Sequence, residues 1–128
     1  MRMARLLLFI CFGIVPMTAR ADMSVASERA KAGAFDARGK ILCAQEVGQA
    51  LGDCDAAIAR ADGSAVVVVT FPNGFARTLM FTGGAFLRGN PTMSGVGTDT
   101  DWRLDGDTYH VRVDDQRFEL PQALVFGD

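Results

Sequence analysis

Ala65-Val66-Val67-Val68-Val69-Thr70-Phe71 runs into Pro72-Asn73-Gly74, and Phe75-Ala76-Arg77-Thr78-Leu79-Met80-Phe81-Thr82 follows. The first run is apolar on both faces and rich in branched residues, as a central strand covered on each side requires. Pro72 pre-sets one turn dihedral and Asn73-Gly74 accepts positive ones, so the chain reverses there. The second run alternates. Phe75, Arg77, Leu79 and Phe81 share one side, and Ala76, Thr78, Met80 and Thr82 share the other. A period of two on both arms of a tight turn defines a β-hairpin.

The same grammar extends outward. Upstream, Ala56 to Arg60 forms a short run and Asp62-Gly63 is a strong hairpin signal. Downstream, Gly83-Gly84 turns the chain into Ala85-Phe86-Leu87, a short strand or edge. Gly89 to Asp101, with Asn90, Pro91, Gly95 and Gly97, reads as a surface loop. Trp102 to Leu104 resumes the strand pattern and Asp105-Gly106 turns it. Thr108 to Val113 then puts Tyr109, Val111 and Val113 inward and Thr108, His110 and Arg112 outward. Asp114-Asp115 leads into Gln116 to Leu120, Pro121 stops that strand, and Leu124-Val125-Phe126 folds back on the core. The fold class is mainly all-β: a small antiparallel meander, a twisted sheet or partly closed barrel, with a disulfide-closed N-terminal loop or short helix. Its expected core is Val67, Val69, Leu79, Phe81, Trp102, Val111 and Phe118.

Domain limits follow from the N-terminal end. Arg2 and Arg5 precede an apolar run from Leu6 to Val15, and Ala19-Arg20-Ala21 closes the segment. A charged start, a short apolar centre and an A-x-A site describe a secretory signal peptide over 1–21, cleaved after Ala21. The run is about ten residues, short of the roughly twenty that span a bilayer. Residues 22–40 are alanine- and charge-rich with few large apolar groups, which predicts a mobile leader or frayed helix. Residues 41–128 form one small β domain, with order beginning near Ile41-Leu42-Cys43.

Cleavage removes Cys11 and leaves Cys43 and Cys54, which in an oxidising compartment form one disulfide. It also removes three arginines, so the mature chain is acidic and offers no electrostatic footprint for nucleic acid or anionic lipid. Only Lys31 and Lys40 are lysines, a bias that suits a GC-rich bacterial genome. Asn90-Pro91-Thr92 carries a proline where a glycosylation acceptor excludes it. The location expected is periplasmic or secreted, with no membrane span.

Three stretches stand out: Cys43-Ala44-Gln45 with Gly48-Gln49 and Cys54, the hairpin from Val69 to Phe81 with its Pro72-Asn73-Gly74 turn, and the tail Asp115-Gln116-Arg117-Phe118-Glu119-Leu120-Pro121-Gln122-Ala123-Leu124. Together they resemble a group of small exported proteobacterial proteins of unknown function. The resemblance covers residues 43–127. It implies the domain limits and no activity.

Few residues offer chemistry. Asp99, Asp101, Asp105 and Asp107 are a calcium candidate. However, setting Gly106 at the loop glycine of an EF-hand places Arg103 and Arg112 where oxygen ligands belong. Turn chemistry explains the aspartates better. His110 is the one histidine, so no histidine pair binds zinc. Ser94 lies outside any nucleophile elbow, and Gly95-Val96-Gly97 lacks the third glycine of a nucleotide cradle. Arg77, on a core side, needs either a rim position or an internal partner, for which Glu119 is the candidate. No catalytic set, metal or cofactor is assigned.

Two functions compete. One is a non-catalytic binding module, inhibitor- or immunity-like in one form. It contacts a protein or envelope component through Gly83–Asp101, with Phe86, Pro91 and Met93 apolar and Asp99 and Asp101 charged. The alternative is a small hydrolase or metal-dependent enzyme using His110 with the Asp99–Asp107 acids. His110 beside a carboxylate and a hydroxyl in a concave site favours the enzyme.

Overall fold

The computed structural model describes residues 23–89 and 99–127. The expected signal peptide, Pro91 and Met93 lie outside them. The described chain has helix α1 (Met23–Lys31), then strands β1 (Ala37–Ala44), β2 (Gly52–Ala61), β3 (Ser64–Thr70), β4 (Ala76–Thr82) and β5 (Ala85–Gly89). After them come β6 (Thr100–Asp105), β7 (Thr108–Val113), β8 (Gln116–Pro121) and helix α2 (Gln122–Phe126). All strand pairs are antiparallel. Each strand pairs with the next in sequence except β5 with β6, and β1 pairs with β8, giving the order β5-β4-β3-β2-β1-β8-β7-β6. The result is a nearly closed eight-stranded barrel with one seam, between β5 and β6.

Turn chemistry makes the hairpins. Asp62 (φ 51°) and Gly63 (φ 79°) both take positive φ, the conformation whose twist matches the strands it joins. Inward side chains then meet across a common core. Val67, Val69, Leu79, Phe81, Val111 and Phe118 are buried, as the alternation requires. The β4 and β7 walls touch through Phe81 and Tyr109, whose ring centroids are 5.0 Å apart. Gly89 of β5 lies against Val113 of β7, where an added Cβ would come within 3.1 Å of that side chain. The Tyr109 hydroxyl donates to the Gly84 carbonyl, which ties β7 to the β4–β5 turn.

Trp102 departs from the expectation. It pairs with Val111 and so shares the inner face, yet it is 39 % exposed, and Leu104 is similarly open. The cause is position, because β6 borders the seam and no described strand pairs with its far side. Alternating Asp101, Arg103 and Asp105 place charge along that edge, which opposes pairing with another chain.

The leader takes the helical form of the two expected, but it packs on the sheet, and strand structure starts earlier than expected. Residues 23–31 form α1, which packs on the outer face of β2 and β3, and β1 begins at Ala37 rather than near Ile41. Ala57, Ala59 and Val66 are buried on that outer face, so a small-residue helix can approach closely and seat Ala26 there. Asp36 fixes the junction: its carboxylate accepts from Arg29 at 2.8 Å and from the Arg60 backbone at 2.7 Å. The α2 segment does fold back on the core. Val125 is buried, and the Arg60 guanidinium donates to the carbonyls of Leu124 and Val125 at 2.7 and 2.9 Å. Those are carbonyls that a helix end leaves unpaired.

Burial gives Tyr109 a pH signature. Desolvation raises its pKa above the ordinary 10.0, against a smaller lowering by a hydrogen bond with Gln122. A raised folded-state value favours the neutral phenol. Its contribution is therefore fully present below pH 10 and is lost as pH rises through the folded value. Tyr109→Phe should flatten the alkaline limb of a stability–pH curve while costing about 1 kcal/mol at neutral pH for the lost hydrogen bond. An unchanged alkaline limb in chemical denaturation would assign that loss to other groups.

Candidate functional site

The outer face of β6, β7 and β8 carries a mixed-charge surface. Strand alternation sends Asp101 and Arg103, His110 and Arg112, and Arg117 and Glu119 to the side opposite the core. Register then gathers them. In one row Asp101 lies opposite Arg112, and Arg112 opposite Arg117. In the next, Arg103 lies opposite His110, and His110 opposite Glu119. These six residues line an open groove of about 410 Å³, which Trp102 and Leu51 also border.

His110 and Glu119 form the groove's closest chemical pair. Nδ1 stands 3.0 Å from Oε1, with about a quarter of each side chain accessible. A carboxylate on Nδ1 holds the neutral ring in the tautomer that leaves Nε2 basic. Such a base could act on water or on a ligand hydroxyl. No serine, threonine, cysteine or tyrosine lines the groove, so the hydroxyl half of the hydrolase arrangement is missing among the described residues.

The three arginines differ in their attachments. Arg112 pairs with Asp99 at 3.3 Å and donates to the Asp114 carbonyl at 3.0 Å. The Asp99 hydrogen bond raises the Arg112 pKa above its ordinary value, and Asp101 and Asp114 add to it. Arg117 donates to the backbone carbonyl of Gln49, a neutral partner in the β1–β2 loop. The Gln49 side chain in turn accepts from the backbone of Gln45 and Glu46, bracing that loop. Arg103 is exposed and has no charged or hydrogen-bonding partner among the described residues.

The residues singled out in the sequence are thus redistributed. Phe86 is buried against Phe81, their ring centroids 5.5 Å apart, so it is a core residue and no contact point. Asp99 and Asp101 do reach the groove, the first through Arg112. Asp105 and Asp107 flank the Gly106 turn at the other end of β6, and no three metal-ligating side chains converge among the described residues. Arg77 is buried inside the barrel, where its Nε donates to Gln116 Oε1 at 2.8 Å. Glu119 cannot be the partner envisaged for it, because it sits on the outer face with His110. Cys43 and Cys54 are bonded, with Cα atoms 5.9 Å apart on β1 and β2.

The sequence already placed His110 and Arg112 outward, and Arg117 and Glu119 on one face. Their meeting was hidden because it depends on the β7–β8 register. Compared with known proteins, the chain matches no family model, no curated protein and no solved structure.

Proposed function

We propose that this chain is an exported, non-catalytic binding protein, periplasmic or secreted, that engages a protein or envelope component through the β6–β8 groove. The observation that carries this reading is the groove itself. Partly exposed Trp102 and Leu51 border a charged cluster that includes Arg103, which has no charged or hydrogen-bonding partner among the described residues. Aromatic and arginine side chains are the types enriched where proteins bind. Export is supported by the charged, apolar and A-x-A pattern of residues 1–21 and by a disulfide, which persists in oxidising compartments. No described helix is long and apolar enough to cross a membrane. The resemblance to small exported proteobacterial proteins agrees with this reading without naming an activity.

Immobilised protein exposed to envelope extract should retain material that an Arg103→Glu variant does not, while Lys40→Glu, on β1 away from the groove, retains it normally. Equal retention by all three would move the contact surface elsewhere. The His110–Glu119 pair favours one second reading, a hydrolase in which His110 is a general base. In that case His110→Ala keeps the retained material intact, whereas wild type cleaves it.

A further inference from the structure

We propose that the β6–β8 groove is a binding site for a phosphate group that carries a proton, gripped by Arg103 and Arg117 over strand β7. This rests on the reading of the groove as the contact surface and names the chemistry it takes.

Adjacent strands lie about 5 Å apart and same-face residues step about 7 Å along a strand, so the Arg103 and Arg117 backbones are about 12 Å apart diagonally. Two arginine side chains reaching over that gap can hold a small group between them. That position lies over β7, above His110 and Arg112. Guanidinium forks match phosphate oxygens in pairs, and an oxyanion with three or four acceptors can serve both at once. Arg112, opposite Arg117, is already paired with Asp99, which leaves Arg103 and Arg117 as the guanidinium groups available to a ligand.

The carboxylates refine the choice. Asp101 and Glu119 line the same groove, and they repel a bare oxyanion such as sulfate. A phosphomonoester, whose second ionisation falls at about 6, keeps a P–OH for part of its population. That proton donates to a carboxylate while the remaining oxygens accept from arginine. Chloride and sulfate cannot do both.

The test uses the folded, oxidised protein and follows the His110 ring and Arg103 Nε resonances by NMR. Inorganic phosphate should shift both saturably, and sulfate should bind at least about tenfold more weakly, a difference of about 1.4 kcal/mol. Arg103→Gln and Arg117→Gln should each weaken phosphate at least about tenfold. Arg103→Lys, which keeps the charge but not the fork, should recover part of that loss. Asp101→Asn and Glu119→Gln should each narrow the phosphate–sulfate gap. Glycerol 3-phosphate and phosphatidylcholine vesicles doped with phosphatidic acid separate the sources. Stronger response to the first assigns a soluble phosphomonoester, and stronger response to the second a lipid headgroup. No saturable response, or equal response to phosphate and sulfate, overturns the proposal. If the Arg103→Glu protein still loses envelope material in that case, the groove remains the contact surface and only its ligand chemistry is wrong.

Discussion

Phe81→Ala is expected to lower the unfolding free energy by about 3–5 kcal/mol, the range for emptying a fully buried aromatic site. Phe81 is wholly inaccessible and stands at the junction of four elements. Its ring meets Phe86 of β5, Tyr109 of β7 and Phe126 of α2 at centroid distances of 5.5, 5.0 and 6.3 Å. Those contacts matter because no strand ladder joins β5 to β6 among the described residues, so side-chain packing helps to hold the two walls together there. A small domain has only about 5–15 kcal/mol in hand, and the variant should melt far below wild type. Phe75→Ala is the control: Phe75 begins the same hairpin arm but is substantially exposed, so its loss should cost under about 1 kcal/mol. Urea unfolding of both variants checks the pair. Similar midpoints would mean that the Phe81 ring does not carry the packing between the walls.

That hairpin shows what the residues could tell and what they could not. Val67, Val69, Leu79 and Phe81 were legible as core because period-two alternation needs no knowledge of a partner strand. The burial of Val66 on the opposite face signalled a cover on that side, and the cover is α1. Nothing in Met23–Lys31 marks it as that cover, since its buried residue is one alanine. A small side chain seats well only where Ala57 and Ala59 have cleared the surface, and that match is tertiary. Trp102 failed for a related reason. Its face was read correctly, but exposure depends on which strand ends up at the edge, a property of the whole sheet.

The groove was legible in its parts. His110 and Arg112 were placed outward and Arg117 and Glu119 on one shared face, with Glu119 also read as an internal partner for Arg77, whereas their convergence needed the pairing of His110 with Glu119 and of Arg112 with Arg117. Interest in Gly83–Asp101 arose from loop length and apolar content. Of the residues that suggested it, Phe86 turned inward to Phe81, while Asp99 and Asp101 joined the groove. Polar strand faces are easily dismissed as solvated. Here the informative signal was the repeated charge-x-charge pattern on three strands that turn into one another.

Removing the disulfide should have the second large effect, because β1 is the strand that joins the two halves of the barrel. It pairs with β2 on one side and with β8 on the other, and its register with β8 spans only Leu42, Cys43 and Ala44. Cys43 lies opposite Phe118 within that short ladder, and its bond to Cys54 fastens the end of β1 to β2. The cysteines are 11 residues apart, for which loop closure predicts about 2–3 kcal/mol of stabilisation. Cys43→Ala with Cys54→Ala should therefore lower the unfolding free energy by that amount, with a lower denaturation midpoint, while leaving the β-rich spectrum intact. The loss should also be local. The loop closed by the bond carries Leu51, which borders the groove, and Gln49, whose carbonyl receives Arg117. Amide exchange should accelerate first in residues 44–53 and at Arg117, and phosphate affinity should fall with it, because Arg117 loses its brace. An unchanged midpoint would show that the β1–β8 ladder stands without the bond. A lowered midpoint with unchanged exchange at Arg117 would separate the disulfide from the groove.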